Sequence, residues 1–256
     1  MASWAAKRRF LYISLALAAL LILAAVPVFF LVYKVPTCSD GRQNQGEFGV
    51  DCGGPCERLC RLQALQPLVL WSRSFRVGEG VYNALAVIEN PNLDRAASGV
   101  PYLFRFYDEE GILIAERAGE TDIAPAGLLP VFEGAVVVNQ RRVVRTTFEF
   151  TEDPLWRVSP VARPSIVRAV STKLASASSS PRLTAVIRNT SLEAIPPFDI
   201  VVVLSGADGN AVAVSRTLVD GLPAEGDATV VFSWREPLPP IAKIDLMPRL
   251  FAGVHY

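Results

Sequence analysis

Four cysteines carry the chain's most reactive side chains, and all lie in one window: Cys38, Cys52, Cys56 and Cys60. An even, clustered set of thiols outside a reducing compartment pairs into a local disulfide framework. Zinc is the rival chemistry, but its common signature is two close cysteine pairs across a spacer. Here one cysteine stands well before three at i, i+4 and i+8. Four cysteines allow three connectivities, and spacing does not choose among them. Between the first two lie oxygen-bearing side chains, Asp40, Asn44, Glu47 and Asp51, interleaved with Gly41, Gly46 and Gly49. Oxygens on a glycine-bent loop suit a hard cation, so calcium is the expected cofactor if there is one. The spacing is not that of an EF-hand. The competing reading is that Asp and Asn bond their own backbone while Gly supplies positive φ.

The wider chain offers little for catalysis. Its single histidine, His255, is the penultimate residue, and the sequence holds no phosphate loop, Rossmann fingerprint, HExxH helix or nucleophile elbow. The carboxylates of Asp108-Glu109-Glu110 fall at a predicted hairpin tip where solvent is the expected neighbour. With 25 Lys+Arg against 25 Asp+Glu, no basic excess recommends a nucleic-acid partner. A non-enzymatic protein is expected.

The elements that position these residues begin with an address. Lys7, Arg8 and Arg9 run into an uncharged stretch from Phe10 to Tyr33. At about 1.5 Å per residue its helix reaches roughly 36 Å, against about 30 Å of hydrocarbon. The length favours an uncleaved anchor over a secretory signal, whose apolar region is shorter. The basic residues before the span keep the N-terminus cytoplasmic and place the rest outside. The expected order is a cytoplasmic tail (1–9), a transmembrane signal-anchor helix (10–33), a cysteine-rich module (34–62) and two β-domains (64–160 and 161–256). This order implies attachment to the cytoplasmic membrane through one helix. Ser14 and Ala18 make a weak helix-pairing cue.

Beyond Cys60, short β-rich runs alternate with Gly/Pro/Asn/Asp turns, the pattern of an all-β fold. Tyr102, Phe104 and Phe106 alternate with Arg105, so they share a core face, and Phe198, Ile200, Val202 and Leu204 repeat the pattern. Ala86-Val87-Ile88-Glu89-Asn90 returns as Ala185-Val186-Ile187-Arg188-Asn189, Glu110-Gly111 as Asp208-Gly209, and Pro125-Ala126-Gly127 as Pro223-Ala224-Glu225-Gly226. Phe148-Glu149-Phe150 matches Phe232-Ser233-Trp234. Two tandem β-sandwich domains are predicted, joined near residues 157–163. Ser176–Pro181 is then an intradomain turn matching Gly78-Glu79-Gly80. Val136–Val138 and Val143–Val144 read as an added hairpin whose tip, Asn139-Gln140-Arg141-Arg142, is basic and solvated.

Two resemblances attach to these residues. Thr37-Cys38-Ser39-Asp40-Gly41 through Asn44, Glu47 and Asp51-Cys52-Gly53-Gly54-Pro55-Cys56 resembles a cysteine-rich module, TCxDGxxNxxExxxDCGGxC, of exported bacterial surface proteins; it implies bacterial origin and surface exposure. Phe104-Arg105-Phe106-Tyr107-Asp108 resembles the FxLYD family of small bacterial β-sandwich domains, with Phe106 in place of the leucine. That resemblance implies immunoglobulin-like, extracytoplasmic sandwiches and no catalytic residue. Two functions fit: a binding or adhesion protein held off the membrane, or a structural subunit of a cell-envelope assembly. The partner is not legible.

Overall fold

The computed structural model describes residues 4–32, 37–60, 63–138, 141–159 and 166–250. The chain divides into two compact units, Met1–Cys56 and Glu57–Tyr256. Tyr33, His255, Asn139, Gln140 and most of the junction at 157–163 lie outside the described residues.

In the first unit, helix α1 spans Trp4–Val32 and contains Pro27. It begins before Phe10, so Lys7, Arg8 and Arg9 lie within the helix, and the Arg8 guanidinium lies 4.0 Å from the Trp4 ring centre. Residues Lys7–Pro27 are long and apolar enough to cross a membrane. Ser14 spends its hydroxyl within the helix, on Leu11 O at 3.0 Å.

The second unit is mostly β, and its described strands pair antiparallel. Its strands are β1 (Leu68–Gly78), β2 (Val81–Asn90), β3 (Arg95–Tyr107), β4 (Leu113–Ile123), β5 (Gly127–Val137), β6 (Arg145–Phe150) and β7 (Arg157–Val158). They continue as β8 (Val167–Ala175), β9 (Arg182–Asn189), β10 (Phe198–Ser205), β11 (Ala211–Val219), β12 (Asp227–Ser233) and β13 (Lys243–Arg249). The first half makes sheets β1-β2-β5 and β4-β3-β6, with β7 beside β3; the second makes β8-β9-β12 and β11-β10-β13. One wiring scheme thus occurs twice.

Period-two alternation places the first core. Phe104 and Phe106 are wholly buried, Tyr102 nearly so, and they pack with Ala84, Ala86 and Ile88 of β2, Val131 of β5 and Phe148 of β6. Arg105 points out and pairs with Glu116 (2.9 Å) and Glu149 (2.6 Å) on the flanking strands. Ile187, Ile200, Val202, Leu204 and Phe232 build the equivalent second core.

The repeat extends to single hydrogen bonds. The Asn90 amide donates to Ala124 O (2.7 Å) and Arg95 O (2.9 Å), while its Oδ1 accepts from Asn92 N. Asn189 donates to Pro223 O (2.8 Å) and Glu193 O (2.7 Å) and accepts from Ser191 N. A buried amide that satisfies two loop carbonyls explains why asparagine stands at both corners. These bonds pair Ala124 with Pro223 and left-handed Ala126 (φ 51°) with Glu225 (φ 54°), one residue off the proline-to-proline match. Ser176–Pro181 is, as expected, the turn between β8 and β9.

Two sequence matches need correction. Phe148 lies in β6, which pairs with β3, whereas Phe232 lies in β12, which pairs with β9. The equivalent of β12 is therefore β5, and an aromatic-x-aromatic string recurs on strands of different sheets. Val136–Val138 and Val143–Val144 likewise form no hairpin: Val138 N bonds Gly80 O and Val144 N bonds Tyr107 O, so this segment crosses between sheets. Arg141 pairs with Asp108 and, at 3.8 Å, with Glu110, while Arg142 reaches Glu109 at 3.9 Å. The basic tip and the acidic turn answer each other.

Candidate functional site

The cysteines pair as Cys38–Cys56 and Cys52–Cys60, one of the three open connectivities. The first bridge folds the loop so that Glu47 is buried; its Oε2 accepts from Asn44 N (3.2 Å) and Asp51 N (3.3 Å). Asp40 accepts from Arg42 N (2.9 Å) and the Asn44 amide (2.8 Å), and the Asn44 bond foremost holds its carboxyl below the usual carboxylate range. Both oxygens of Asp51 face Gly41 N, at 3.1 and 3.0 Å. Glycine is required at position 54, where a Cβ would stand 2.2 Å from Gly46 O.

The four predicted ligands are thus brought to one loop, but the carboxylates of Asp40, Glu47 and Asp51 accept from backbone amides, which is what turn capping demands, while Asn44 Oδ1 is buried without a hydrogen-bond partner. The three carboxylates form no cluster with all ligand atoms within 4.8 Å; among the described residues that grouping is Cys38, Glu47 and Cys56. Its sulfurs are joined to each other, so neither is a thiolate, and the 3.2 Å approach of Cys56 Sγ to Glu47 Oε1 is packing rather than a donated hydrogen bond.

Arg58 bridges to Arg157, Leu59 N donates to Trp156 O (2.9 Å), and Leu59 packs on the first core. Residues from Glu57 onward fall in the second compact unit.

The second unit holds a further site. Phe75, Leu85, Val87 and Phe132, on the outer face of β1-β2-β5, meet Val201, Val203 and Val214 on the outer face of β11-β10-β13. The two halves thus share a third buried core. Arg73 ties it at one side, donating to Ala211 O (2.8 Å), and Arg216 lies 5.4 Å from the Phe132 ring centre. Arg249 reaches across to Thr121 Oγ1 (3.0 Å).

Where these faces part, a cleft of about 730 Å³ opens. Its floor is Trp71, Val87, Val203 and Met247, and its polar groups include Arg73, Asp122, Asn210 and Arg249. Lys243 and Asp245 also line it but pair with each other at 2.9 Å. Desolvation pulls the Arg249 guanidinium below the ordinary arginine pKa, with Asp199 and Tyr102 pulling the other way. Burial, then the hydrogen bond to Glu133 at 2.5 Å, pushes the Tyr102 phenol well above its usual value.

Sequence reasoning missed this site because it assigned each strand one buried face. The signal was present: Ile200–Leu204 and Ala84–Ile88 are continuous apolar runs, which mark strands covered on both faces. No family model matches the chain, and no curated protein matches it.

Proposed function

We propose that this chain is a non-enzymatic, membrane-anchored extracytoplasmic binding or adhesion protein that presents two immunoglobulin-like, FxLYD-like β-sandwich domains. The observation that carries this reading is the cleft between the two β-halves, because a mixed apolar and charged concavity of several hundred cubic ångströms at a domain junction is where ligands are held. The apolar helix supports attachment to the cytoplasmic membrane, and Lys7, Arg8 and Arg9 before it support a cytoplasmic N-terminus. Paired cysteines support an oxidising location for the residues beyond the helix.

Affinity capture from intact cells tests the reading, with residues 1–62 alone as the control. The expected result is a partner held by the full chain and lost from the control. Recovery of only further copies of this chain would favour the alternative, a subunit of an envelope assembly.

A further inference from the structure

Two strand edges of the β-structure are unpaired and carry opposite charge. Strand β8 bonds only β9, and β4 bonds only β3. In the first half β1, the equivalent of β8, has its free edge against β6, where Ser72 Oγ donates to Thr146 O at 3.0 Å. No strand stands there for β8 among the described residues, and six consecutive residues, Arg168 to Lys173, are exposed. Arg168 and Lys173 lie opposite Arg188 and Thr184 of β9, on the face away from buried Leu183, Ala185 and Ile187. Their β9 partners are four positions apart, and a bulge between Ala169 and Ser171 takes up the extra residue on β8. Neither cation has an ion-pair partner among the described residues. Arg168 instead faces a like charge, because the Arg188 guanidinium is already held by Asp227 at 2.6 and 2.7 Å. Like charges directly opposite on a sheet are destabilising, and an acid on the open side of Arg168 would relieve them.

Strand β4 is the complement. Glu116 and Glu120 are also four positions apart and exposed, and they share the outer face with Arg105 and Pro101, their partners on β3. On either edge the interval is about 14 Å at about 3.4 Å per residue. We propose that β4 of one chain joins β8 of a second copy edge to edge, with Glu116 and Glu120 meeting Arg168 and Lys173. Neither strand contains proline, so no backbone donor is missing from either edge. Charge excludes the two symmetric pairings, since β8 on β8 opposes cations to cations and β4 on β4 opposes acids to acids. Charges on an edge strand guard against indiscriminate pairing, and here they leave one edge that fits. The contact is heterologous, so it builds a ring or a row of copies rather than a two-fold pair. Because the two intervals are equal, Ala118 falls opposite Ser171 in either strand direction.

The test uses the full chain reconstituted in liposomes, with a benzophenone photo-cross-linking residue in place of Ala118, which is exposed. Copies of natural and heavy-isotope mass are mixed, so that links between copies are recognised by mass. The expected result is a ladder of cross-linked species whose inter-copy links centre on Ser171. Salt raised from about 50 to about 500 mM should cut their yield roughly fivefold. Reversing either edge, by Glu116→Lys with Glu120→Lys or by Arg168→Glu with Lys173→Glu, should cut it by a similar factor. The chain carrying all four reversals should recover it. Unchanged thermal transitions establish that the variants fold, and the link map of the chain without reversals is read independently of them. No inter-copy link, links that avoid residues 167–175, a yield indifferent to reversal, or a folded four-reversal chain that does not recover would overturn the proposal. None of the four charged residues lines the cleft, so that failure would leave the binding reading standing, and a cleft that held no partner would leave this contact standing.

Discussion

Replacing Val203 by aspartate puts a carboxylate into the core that joins the two β-halves. Val203 lies on β10 beside Val201, facing Leu85, Val87 and Phe132, and is 5% exposed. Losing its burial costs about 1.5–3 kcal/mol. An uncompensated carboxylate in that setting adds several more, for a total of about 5 kcal/mol or more, comparable with the roughly 5–15 kcal/mol that holds a domain folded. The halves relieve this cost by separating, because each keeps its own core of buried Phe104 and Phe106 or Ile200 and Leu204. Urea denaturation of residues 57–256, followed by tryptophan fluorescence and far-ultraviolet circular dichroism, reads the outcome. The parent should show coincident transitions by both probes, and Val203→Asp should separate them into two. One coincident transition whose midpoint moves by the equivalent of less than about 1 kcal/mol would show that the outer face of β10 is not buried, and the shared core and the cleft beside it would fall together.

The same geometry makes three further outcomes measurable. Phe104→Ala should cost about 3–5 kcal/mol because its ring is wholly enclosed and lies 4.9 Å from that of Phe148, whereas Arg105→Ala, which removes two exposed ion pairs, should cost clearly less; urea midpoints of both compare them. A chain beginning at residue 64 loses Leu59 from the first core and the bond to Trp156 O, so relative to residues 57–256 it should still unfold cooperatively but melt several degrees lower, since about 1–2 kcal/mol moves a chain of this size by about 2–4 °C per kcal/mol; equal melting temperatures would place residues 57–63 outside the fold. In acid, Asp227 is held below the usual carboxylate range by its hydrogen bonds to Arg188, so its stabilisation is complete above about pH 4 and is lost as pH falls through its lowered value; Asp227→Asn should flatten that part of the stability profile, and an unchanged slope would refute the pairing.

What was legible in the sequence, and what was not, divides along a physical line. The alternation of Tyr102, Phe104 and Phe106 with Arg105 exposes a core face because a strand's side chains switch sides at every residue, and that local rule needs no knowledge of the partner strand. The corners at Asn90 and Asn189 are legible for a related reason: only an amide both donates to two loop carbonyls and accepts from a backbone N–H two residues on. Sheet membership is not local. Phe148-Glu149-Phe150 and Phe232-Ser233-Trp234 read alike because a half-buried strand has the same pattern in either sheet, yet register assigns them to β3 and β9 as neighbours. The consequence shows at Glu133. By register with Ala84 and Leu183 it stands where the second half has Phe232, and in place of an aromatic ring it offers a carboxylate to the Tyr102 hydroxyl. The charge-matched turns at Asp108–Glu110 and Arg141–Arg142 escaped for the same reason, since each alone is a solvated tip.

The candidate site is the least local feature of all. Arg73, Arg249, Asp122 and Trp71 are ordinary one by one, and they converge only because two continuous apolar runs, Ala84–Ile88 and Ile200–Leu204, must each find cover on a second face. Each half has one such doubly buried central strand, so the halves satisfy one another. The two contacting sheets are not equivalent ones: β1-β2-β5 of the first half meets β11-β10-β13 of the second, which makes the contact head-to-tail within the chain rather than two-fold. The counterparts of these faces, β4-β3-β6 and β8-β9-β12, carry ion pairs, with Arg105, Glu116 and Glu149 on one and Arg188 and Asp227 on the other. These ion pairs put charge on the positions where a further head-to-tail contact of the same kind would need apolar surface.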